Sequence, residues 1–211
     1  MIDHSAARAE MVESQLVSRG VRDARVLDAM RSVPRHRFIP EENQDLAYRD
    51  GPVAIGQGQT ISQPYIVAVM SEALRLTPGM RVLEVGTGSG YQAAVLSALG
   101  AQVFSIEIKQ TLATRARAVL DSVGAQDVQT LTGNGFEGFE AAMPFDRIIV
   151  TAAPSSIPPS LVEQLRVGGT MLIPVGERRR QTLFRIERTP EGTHQESLLP
   201  VLFVPMTGGP A

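Results

Sequence analysis

The fold is decided by the stretch Val82-Leu83-Glu84-Val85-Gly86-Thr87-Gly88-Ser89-Gly90, in the first half of the 211 residues. A short run of strand type, three apolar residues with one acid, is followed directly by three glycines within five residues. A glycine-rich turn between a strand and a helix is typical of a parallel sheet, where it lies at the carboxyl ends of the strands. We therefore predict that a ligand binds on this turn.

Strands and helices alternate on the carboxyl side of the turn. The pattern predicts strands over 81–85, 103–106, 128–131, 147–150 and 171–173, and helices over 91–99, 110–123 and 158–165, the last closed by Gly168-Gly169. Two later runs, 182–186 and 198–204, have no helix between them and are predicted to pair in antiparallel fashion. Apolar strands that alternate with helices indicate a sheet covered on both faces. The predicted fold class is α/β, with a doubly wound, mostly parallel, Rossmann-like sheet and an antiparallel C-terminal strand pair.

The residues on the amino side of the turn give a weaker pattern. Apolar spacing predicts two helices within 5–33, separated at Gly20. The stretch 35–58 combines prolines and glycines with little periodicity, so it is predicted to be irregular, and long irregular segments in compact proteins are often functional. A further helix is predicted with Pro64 in its first turn and Ser62 in the position of a cap.

The composition excludes several classes of protein. The net charge is −2, from 20 Lys+Arg and 22 Asp+Glu, so there is no basic excess for binding nucleic acid. The absence of cysteine rules out a disulfide framework, a thiolate zinc site and a cysteine nucleophile. Three histidines, which lie far apart in the sequence, make a metal site unexpected. They are His4, His36 and His194.

The sequence also lacks signals for a membrane. No stretch approaches the roughly 18 apolar residues that a spanning helix needs. The N-terminus carries acids and no apolar segment of secretory type, so we expect a cytoplasmic protein with no membrane partner. The single run of charge, Arg178-Arg179-Arg180, is expected to be the solvated tip of a hairpin.

The glycine turn does not match the two common phosphate-binding patterns. A dinucleotide fingerprint needs glycine where Tyr91 stands, and a P-loop needs a lysine that the turn lacks. Glu107, at the end of the second predicted strand after a glycine turn, is placed to accept the hydroxyls of a ribose. S-adenosylmethionine fits this combination, because it is an adenosine that carries a sulfonium and an amino acid but no phosphate.

At this point the sequence resembles a known family. The glycine stretch, extended to Tyr91, resembles the first motif of class I methyltransferases. The preceding segment, Gly58-Gln59-Thr60-Ile61-Ser62-Gln63-Pro64-Tyr65, resembles the much more specific signature of the protein-L-isoaspartate O-methyltransferases. Shorter likenesses extend the resemblance over almost the whole chain: Val33-Pro34-Arg35-His36, Phe38-Ile39-Pro40, 145–153, 168–176 and Phe203-Val204-Pro205.

The resemblance implies an enzyme of protein repair. The family methylates the free α-carboxylate of L-isoaspartyl and D-aspartyl residues, and the methyl ester then closes to a succinimide that hydrolyses partly to normal aspartate. Isoaspartyl proteins and peptides would be the partners of a monomeric enzyme. An α-carboxylate, with a pKa of about 3.3–3.7, is already ionised at neutral pH and needs no general base. Catalysis is therefore expected to consist mainly of orientation.

The resemblance also implies the site residues. Ser62 is the predicted catalytic residue, which would hold the substrate carboxylate, with helix capping as its alternative role. The backbone of Val150, Thr151 and Ala152 is predicted to help bind the isoaspartyl segment. His36 is expected to be structural, and no metal ligand is predicted. The residues predicted to bind S-adenosylmethionine are Gln59, Thr60, Ile61, Gly86, Thr87, Gly88, Ser89, Gly90, Glu107, Asn134 and Gly135.

One domain is expected over 1–211, with a helical, substrate-proximal segment over 1–78 and a donor-binding core over 79–211. The chain departs from the family at Asn134, because Gly133-Asn134-Gly135 stands where the family commonly has Gly-Asp-Gly. That aspartate accepts a hydrogen bond from the adenine amino group. Asparagine keeps an acceptor oxygen, but the bond becomes neutral and weaker.

Three other functions compete with repair. A peptide-tailoring relative would methylate a normal aspartate of a ribosomal peptide to form an aspartimide; the absence of a long extension before Ala211 favours repair. A non-catalytic cofactor-binding module is disfavoured by the intact Ser62, Glu107 and glycines. A nicotinamide-dependent oxidoreductase is disfavoured by Tyr91.

Overall fold

The computed structural model describes residues 3–177 and 180–209. The α-helices are α1 His4–Met11, α2 Ala24–Ser32, α3 Pro64–Ala73, α4 Tyr91–Ala98, α5 Gln110–Ser122 and α6 Pro159–Glu163. The strands are β1 Val53–Gly56, β2 Gln59–Ile61, β3 Arg81–Val85, β4 Gln102–Glu107, β5 Gln129–Thr132, β6 Phe145–Val150, β7 Leu165–Glu177, β8 Arg180–Thr189 and β9 Gly192–Val201.

Seven strands form one sheet in the order β5-β4-β3-β6-β7-β8-β9. The pairs from β5 to β7 are parallel, and β7-β8 and β8-β9 are antiparallel. The chain leaves β3 first toward β4 and later toward β6, so the order reverses beside β3, the position where open α/β sheets bind ligands. Val85 is paired with Ile106 on one side and with Val150 on the other, which brings three strand ends to one level. The predicted fold class is confirmed.

Alternate residues of the central strands face opposite sides of the sheet. Val82 of β3 and Ile149 of β6 belong to one buried apolar cluster, whereas Leu83 and Ile148 belong to the other. All four side chains are fully buried. Because both faces are covered, apolar residues of these strands are buried on both sides of the sheet, as the sequence predicted.

The N-terminal helices are confirmed, with one addition. Helix α1 continues through a π-helical turn, Val12–Leu16, and a 3-10 turn, Val17–Arg19, to Gly20, whose φ of 96° is left-handed. Glycine adopts this conformation without strain, so the break falls where the sequence placed it. Among the described residues, no helix is both long and apolar enough to cross a membrane.

The segment predicted to be irregular is more ordered than expected. It holds two 3-10 turns, Arg35–Phe38 and Glu41–Leu46, and the first strand of the antiparallel hairpin β1-β2. The strands are only 4 and 3 residues long, too short to produce a clear alternation in the sequence. The hairpin nevertheless forms because its tip, 56–58, adopts positive φ angles throughout.

Three local predictions need correction. Ser62 does not cap α3, because the N-cap is Gln63 and no side chain in the described part of the chain caps the helix. The helix predicted over 158–165 ends at Glu163, and the glycines 168–169 belong to β7, which is 13 residues long because most of it pairs with β8. Residues 178–179 of the predicted arginine tip lie outside the described part of the chain; Arg180 is exposed at the start of β8.

Candidate active site

The glycine turn connects β3 to α4 and lies where the sequence placed it. Gly86, Gly88 and Gly90 have φ angles of 99°, 52° and 88°, which L side chains rarely adopt. At Gly86 a Cβ atom would also lie 2.5 Å from Thr151 Oγ1. Glycine is therefore required there both by the backbone conformation and by the close approach of the neighbouring strand end.

Thr151 ties the end of β6 to this turn. Its backbone N–H donates to the Val85 carbonyl (2.9 Å), and its hydroxyl lies 2.7 Å from the Gly86 carbonyl and 3.1 Å from that of Val85. The N–H and the hydroxyl proton of this predicted substrate-binding residue are thus already engaged with the turn. Neighbouring Ala152 makes no hydrogen bond to the described part of the chain, so its backbone groups are free to bind a ligand.

Glu107 lies at the end of β4, 6 % exposed, beside the turn. Its Oε2 accepts from the Gly88 N–H and its Oε1 from the Lys109 N–H, both at 2.9 Å. A carboxylate offers about four acceptor sites, so roughly two stay open after these bonds. The carboxylate is therefore held in position and keeps the capacity to accept the two hydroxyls of a ribose.

Glu84, a second acid of the site, was missed by the sequence analysis. It is fully buried on β3, and Ser105 Oγ donates to its Oε2; the Ser105 hydroxyl also lies 2.6 Å from Thr87 Oγ1. Oε1 is buried without a partner among the described residues, and burial raises the pKa of the carboxyl to about 8. The available signal was an acid inside an apolar strand that leads into a glycine turn.

The turn, both acids and two covering segments line one open cavity. The hairpin β1-β2 covers one part of it, and Arg115 of α5 holds this hairpin by donating from Nη2 to the Ile55 carbonyl. The C-terminal residues 204–207 line it from another direction. All of the residues predicted to bind the methyl donor line the cavity except Gly90 and Asn134.

A second cavity opens on the other side of the same wall. Four residues line both cavities: Thr60, Ser62, Thr151 and Val204. The second is otherwise lined by Pro52, Gln63, Ile66, Pro200, Val201, Leu202 and Phe203. None of these lining residues is ionisable, and we call this cavity the groove.

Ser62 is placed in the shared wall by a buried arginine. Arg35 has no solvent exposure, donates from Nη2 to the Ser62 carbonyl (2.8 Å) and from Nε to the Ala47 carbonyl (2.7 Å), and burial lowers its pKa to about 10. The Ser62 hydroxyl makes no hydrogen bond to any described residue. Arg35 was not predicted as a site residue, because its contact is with a backbone atom 27 positions away.

Asn134 stands at the end of the turn that follows β5. Its Oδ1 accepts from the Phe136 N–H (3.1 Å), and its Nδ2 donates to Glu137 Oε1 (3.0 Å) and to the Gly208 carbonyl (2.9 Å). These bonds engage both ends of the side-chain amide. The neighbouring Gly135 does line the cavity.

The cavity suits a nucleoside that carries a cation instead of a phosphate. Glu107 offers acceptors for a diol, the buried Glu84 oxygen without a partner among the described residues is open to a polar or cationic group of a ligand, and Gly86 admits a ligand where a side chain would clash. Among doubly wound α/β folds, this arrangement is that of the class I S-adenosylmethionine-dependent methyltransferases.

The chain belongs to the protein-L-isoaspartate(D-aspartate) O-methyltransferase family, whose sequence model matches residues 6–211. It is 53 % identical over 205 residues to a protein-L-isoaspartate O-methyltransferase of Methylorubrum populi, covering 97 % of this chain and 96 % of that protein. It is 52 % identical over 200 residues to one of Gloeobacter violaceus, covering 93 % and 97 %. The resemblance inferred from the motifs is confirmed.

Solved structures agree with this assignment. A Plasmodium falciparum structure described as a protein-L-isoaspartate O-methyltransferase in complex with S-adenosyl-L-homocysteine has a TM-score of 0.84 at 27 % identity, covering 95 % of this chain and 98 % of that one. A second protein-L-isoaspartate O-methyltransferase has a TM-score of 0.87 at 28 % identity, covering 95 % of this chain and 66 % of its own length.

Proposed function

We propose that this protein repairs damaged proteins by transferring a methyl group from S-adenosylmethionine to the free α-carboxylate of L-isoaspartyl and D-aspartyl residues. The observation that carries the proposal is the wall shared by the two cavities, in which Ser62 stands. A donor in the first cavity and a peptide in the groove would meet at this wall. Family membership supplies the reaction.

The first cavity would hold the donor. Glu107 would accept hydrogen bonds from the ribose hydroxyls, and the unpartnered Glu84 oxygen would face the cationic part of the donor. Bound S-adenosylmethionine supplies an electrophilic methyl group on a sulfonium. The residues 79–211 would then form the donor-binding core, and the segment 1–78 would contribute the hairpin and Ser62 to one domain.

The groove would hold the isoaspartyl segment. Its apolar, uncharged lining suits a peptide whose neighbouring side chains vary, and the free backbone groups of Ala152 provide contacts that do not depend on those side chains. Val150 lies fully buried behind this point and is expected to support it. The Ser62 hydroxyl would donate to one oxygen of the substrate carboxylate.

The reaction needs no proton transfer to begin. The ionised carboxylate oxygen attacks the methyl carbon, the carbon–sulfur bond breaks, and its electron pair neutralises the sulfonium; the products are a methyl ester and a thioether. The contribution of the protein is to align oxygen, carbon and sulfur at the shared wall. This accounts for the absence of a general base among the described residues that line the wall.

Labelled methyl transfer to an isoaspartyl peptide, with the matching aspartyl peptide as control, tests the proposal. We expect transfer to the isoaspartyl peptide and almost none to its twin. Ser62→Ala should lower kcat/KM for the peptide by about 10- to 150-fold, the equivalent of one hydrogen bond to a charged group, with unchanged affinity for S-adenosylhomocysteine. Ser155→Ala, at an exposed serine outside both cavities, is the matched control.

One outcome would reject the assigned reaction, and another would reject the assigned residue. Transfer confined to the aspartyl peptide would favour the peptide-tailoring reaction, and equal activity of Ser62→Ala and wild type would remove the proposed role of Ser62. The proposal also includes a monomer that acts on proteins of the cytoplasm. Light scattering and cell fractionation test these two expectations.

A further inference from the structure

The C-terminal residues cross the donor cavity as a strap, which we define as residues 204–208. At its start, the Ala153 N–H donates to the Val204 carbonyl (2.8 Å), and the Met206 N–H donates to the Ala153 carbonyl (2.9 Å). Residues 204–207 line the donor cavity. The strap is therefore anchored to the end of β6 and forms part of the cavity wall.

The other end of the strap is held by Asn134. Its Nδ2 donates to the Gly208 carbonyl at 2.9 Å. The orientation of the amide is fixed by its other partners, because Oδ1 accepts from the Phe136 N–H and Nδ2 donates to the Glu137 carboxylate. The contact between Asn134 and Gly208 is therefore a hydrogen bond that depends on the side-chain N–H of asparagine.

The end of the strap packs closely against the residues around it. A Cβ atom on Gly208 would lie 2.7 Å from Ile108 Cδ1 and 2.8 Å from Asn134 Oδ1, and one on Gly209 would lie 3.1 Å from the Phe136 ring. Ile108 itself lines the donor cavity. A movement of the strap away from Asn134 would therefore open the cavity beside the residues that follow β4.

We propose that the strap must lift for the methyl donor and its demethylated product to exchange, and that the Asn134 amide is the latch that holds it down. This inference rests on the proposed donor site but not on the identity of the methyl acceptor. It gives Asn134 a positioning role in place of a direct contact with adenine. An aspartate at 134 would keep the bond from Phe136, but it could not donate to Gly208 and would repel Glu137.

The kinetics of S-adenosylhomocysteine binding, measured by surface plasmon resonance, test the latch. In Asn134→Asp we expect the association and dissociation rate constants both to rise by about 2- to 12-fold, as expected for losing one ordinary hydrogen bond that holds a gate closed. The double variant Asn134→Asp/Glu137→Gln removes the repulsion and should still show both increases. Slower dissociation with an unchanged association rate would instead identify residue 134 as an adenine acceptor and overturn the proposal, as would unchanged rates.

A second measurement reports on the strap itself. Because the chain has no cysteine, a single Met206→Cys substitution gives a thiol on the strap that a reagent modifies when the strap lifts. We expect saturating S-adenosylhomocysteine to slow this modification and Asn134→Asp to accelerate it. Ser155→Cys, at an exposed position off the strap, should react at the same rate under all conditions. Equal rates at 206 with and without the ligand would overturn the proposal.

Both measurements are independent of methyl transfer. A failure to methylate isoaspartyl peptides would reject the proposed function and leave the strap intact as a gate for the nucleoside. Unchanged exchange rates in a protein that does methylate these peptides would reject the gate alone. Thermal melting of each variant without ligand shows whether the fold has survived the substitution.

Discussion

The donor cavity and the groove share a wall but differ in the charge and the hydrogen bonding of their lining residues. In the donor cavity both acids are already hydrogen-bonded to the protein: two backbone N–H groups hold Glu107, and Ser105 joins Glu84 to Thr87. The groove has no ionisable residue in its described lining, and the Ser62 hydroxyl at its wall has no partner among the described residues. A fixed polar network suits a single invariant ligand, whereas an uncharged groove suits peptides that differ in every residue but one.

Removal of the Glu107 side chain should break the donor side of this comparison and have the largest effect. Glu107→Ala should weaken S-adenosylhomocysteine binding by about 1.5–3 kcal/mol, the range for hydrogen bonds to a charged group. It also frees the Gly88 and Lys109 N–H groups, which loosens the turn. Calorimetry measures the loss, with exposed Glu41→Ala as the control. An unchanged donor affinity would contradict the assignment of the ribose site.

Arg35→Met should impair the use of the groove by the peptide and leave donor binding unchanged. The buried Ala47 carbonyl and the partly buried Ser62 carbonyl would lose their donor, and leaving the buried group unsatisfied costs about 1–3 kcal/mol of folding free energy. Ser62 would also be less well placed, so kcat for the isoaspartyl peptide should fall while donor affinity stays constant. Arg35→Lys, which can reach one carbonyl, should restore part of kcat. A parallel loss of donor affinity would show that the two cavities are not separable.

The pH dependence of the free energy of unfolding should test the buried carboxyl of Glu84 in the donor cavity. Burial raises the pKa of Glu84 from its ordinary value of 4.5 to about 8, so between these two pH values the folded protein holds a proton that the unfolded chain has released. The contribution of Glu84 to stability is therefore fully present at low pH and is lost as the pH rises toward about 8. Denaturant unfolding at several pH values should show this fall in the wild type, and Glu84→Gln should remove it.

A group outside both cavities sets the pH range for that experiment. Burial, together with the positive charges of His4, Arg8 and Arg37, lowers the pKa of His36 to about 4, and its ring stacks on that of His4 at 4.0 Å between centroids. A base with a lowered pKa contributes stability that is lost as pH falls from about 6.5 toward 4. The Glu84 contribution is therefore read above pH 6.5, where His36 does not titrate.

The smallest expected effect lies at the rim of the groove. Leu202 lines the groove but is 71 % exposed, so little of its apolar surface is buried and little contact is lost on truncation. Leu202→Ala should raise KM for the isoaspartyl peptide by about 2-fold, in keeping with surface substitutions within about 0.5 kcal/mol, and leave donor affinity unchanged. Val167→Ala, 56 % exposed and outside both cavities, is the control. A changed donor affinity would place Leu202 in the wrong cavity.

The parts of the site that are local in sequence could be predicted. The turn after β3 and the acid at the end of β4 are fixed by strand and glycine patterns within about one βαβ unit. Arg35 and Glu84 could not be predicted as site residues. Arg35 bonds to a carbonyl 27 residues away, and Glu84 is an acid inside a buried strand, and neither arrangement leaves a periodic signal in the sequence. The bond from Asn134 to Gly208 spans 74 residues and left no periodic signal either, and the adenine contact of Asn134 stays a prediction from the motif.

The contacts that hold the strap at Asn134 also affect the deamidation of that residue. An asparagine followed by glycine is prone to deamidation, because the glycine nitrogen can attack the side-chain amide with no Cβ in its way. Here Asn134 is held by three hydrogen bonds, and Gly135 is buried with Val85 and Met206 close against it. Burial disfavours the charged nitrogen that ring closure requires. We expect peptide mapping after prolonged warm incubation to find residue 134 unchanged in donor-saturated protein and deamidating faster in Met206→Ala, so this enzyme's own Asn-Gly pair would age only as fast as its strap opens.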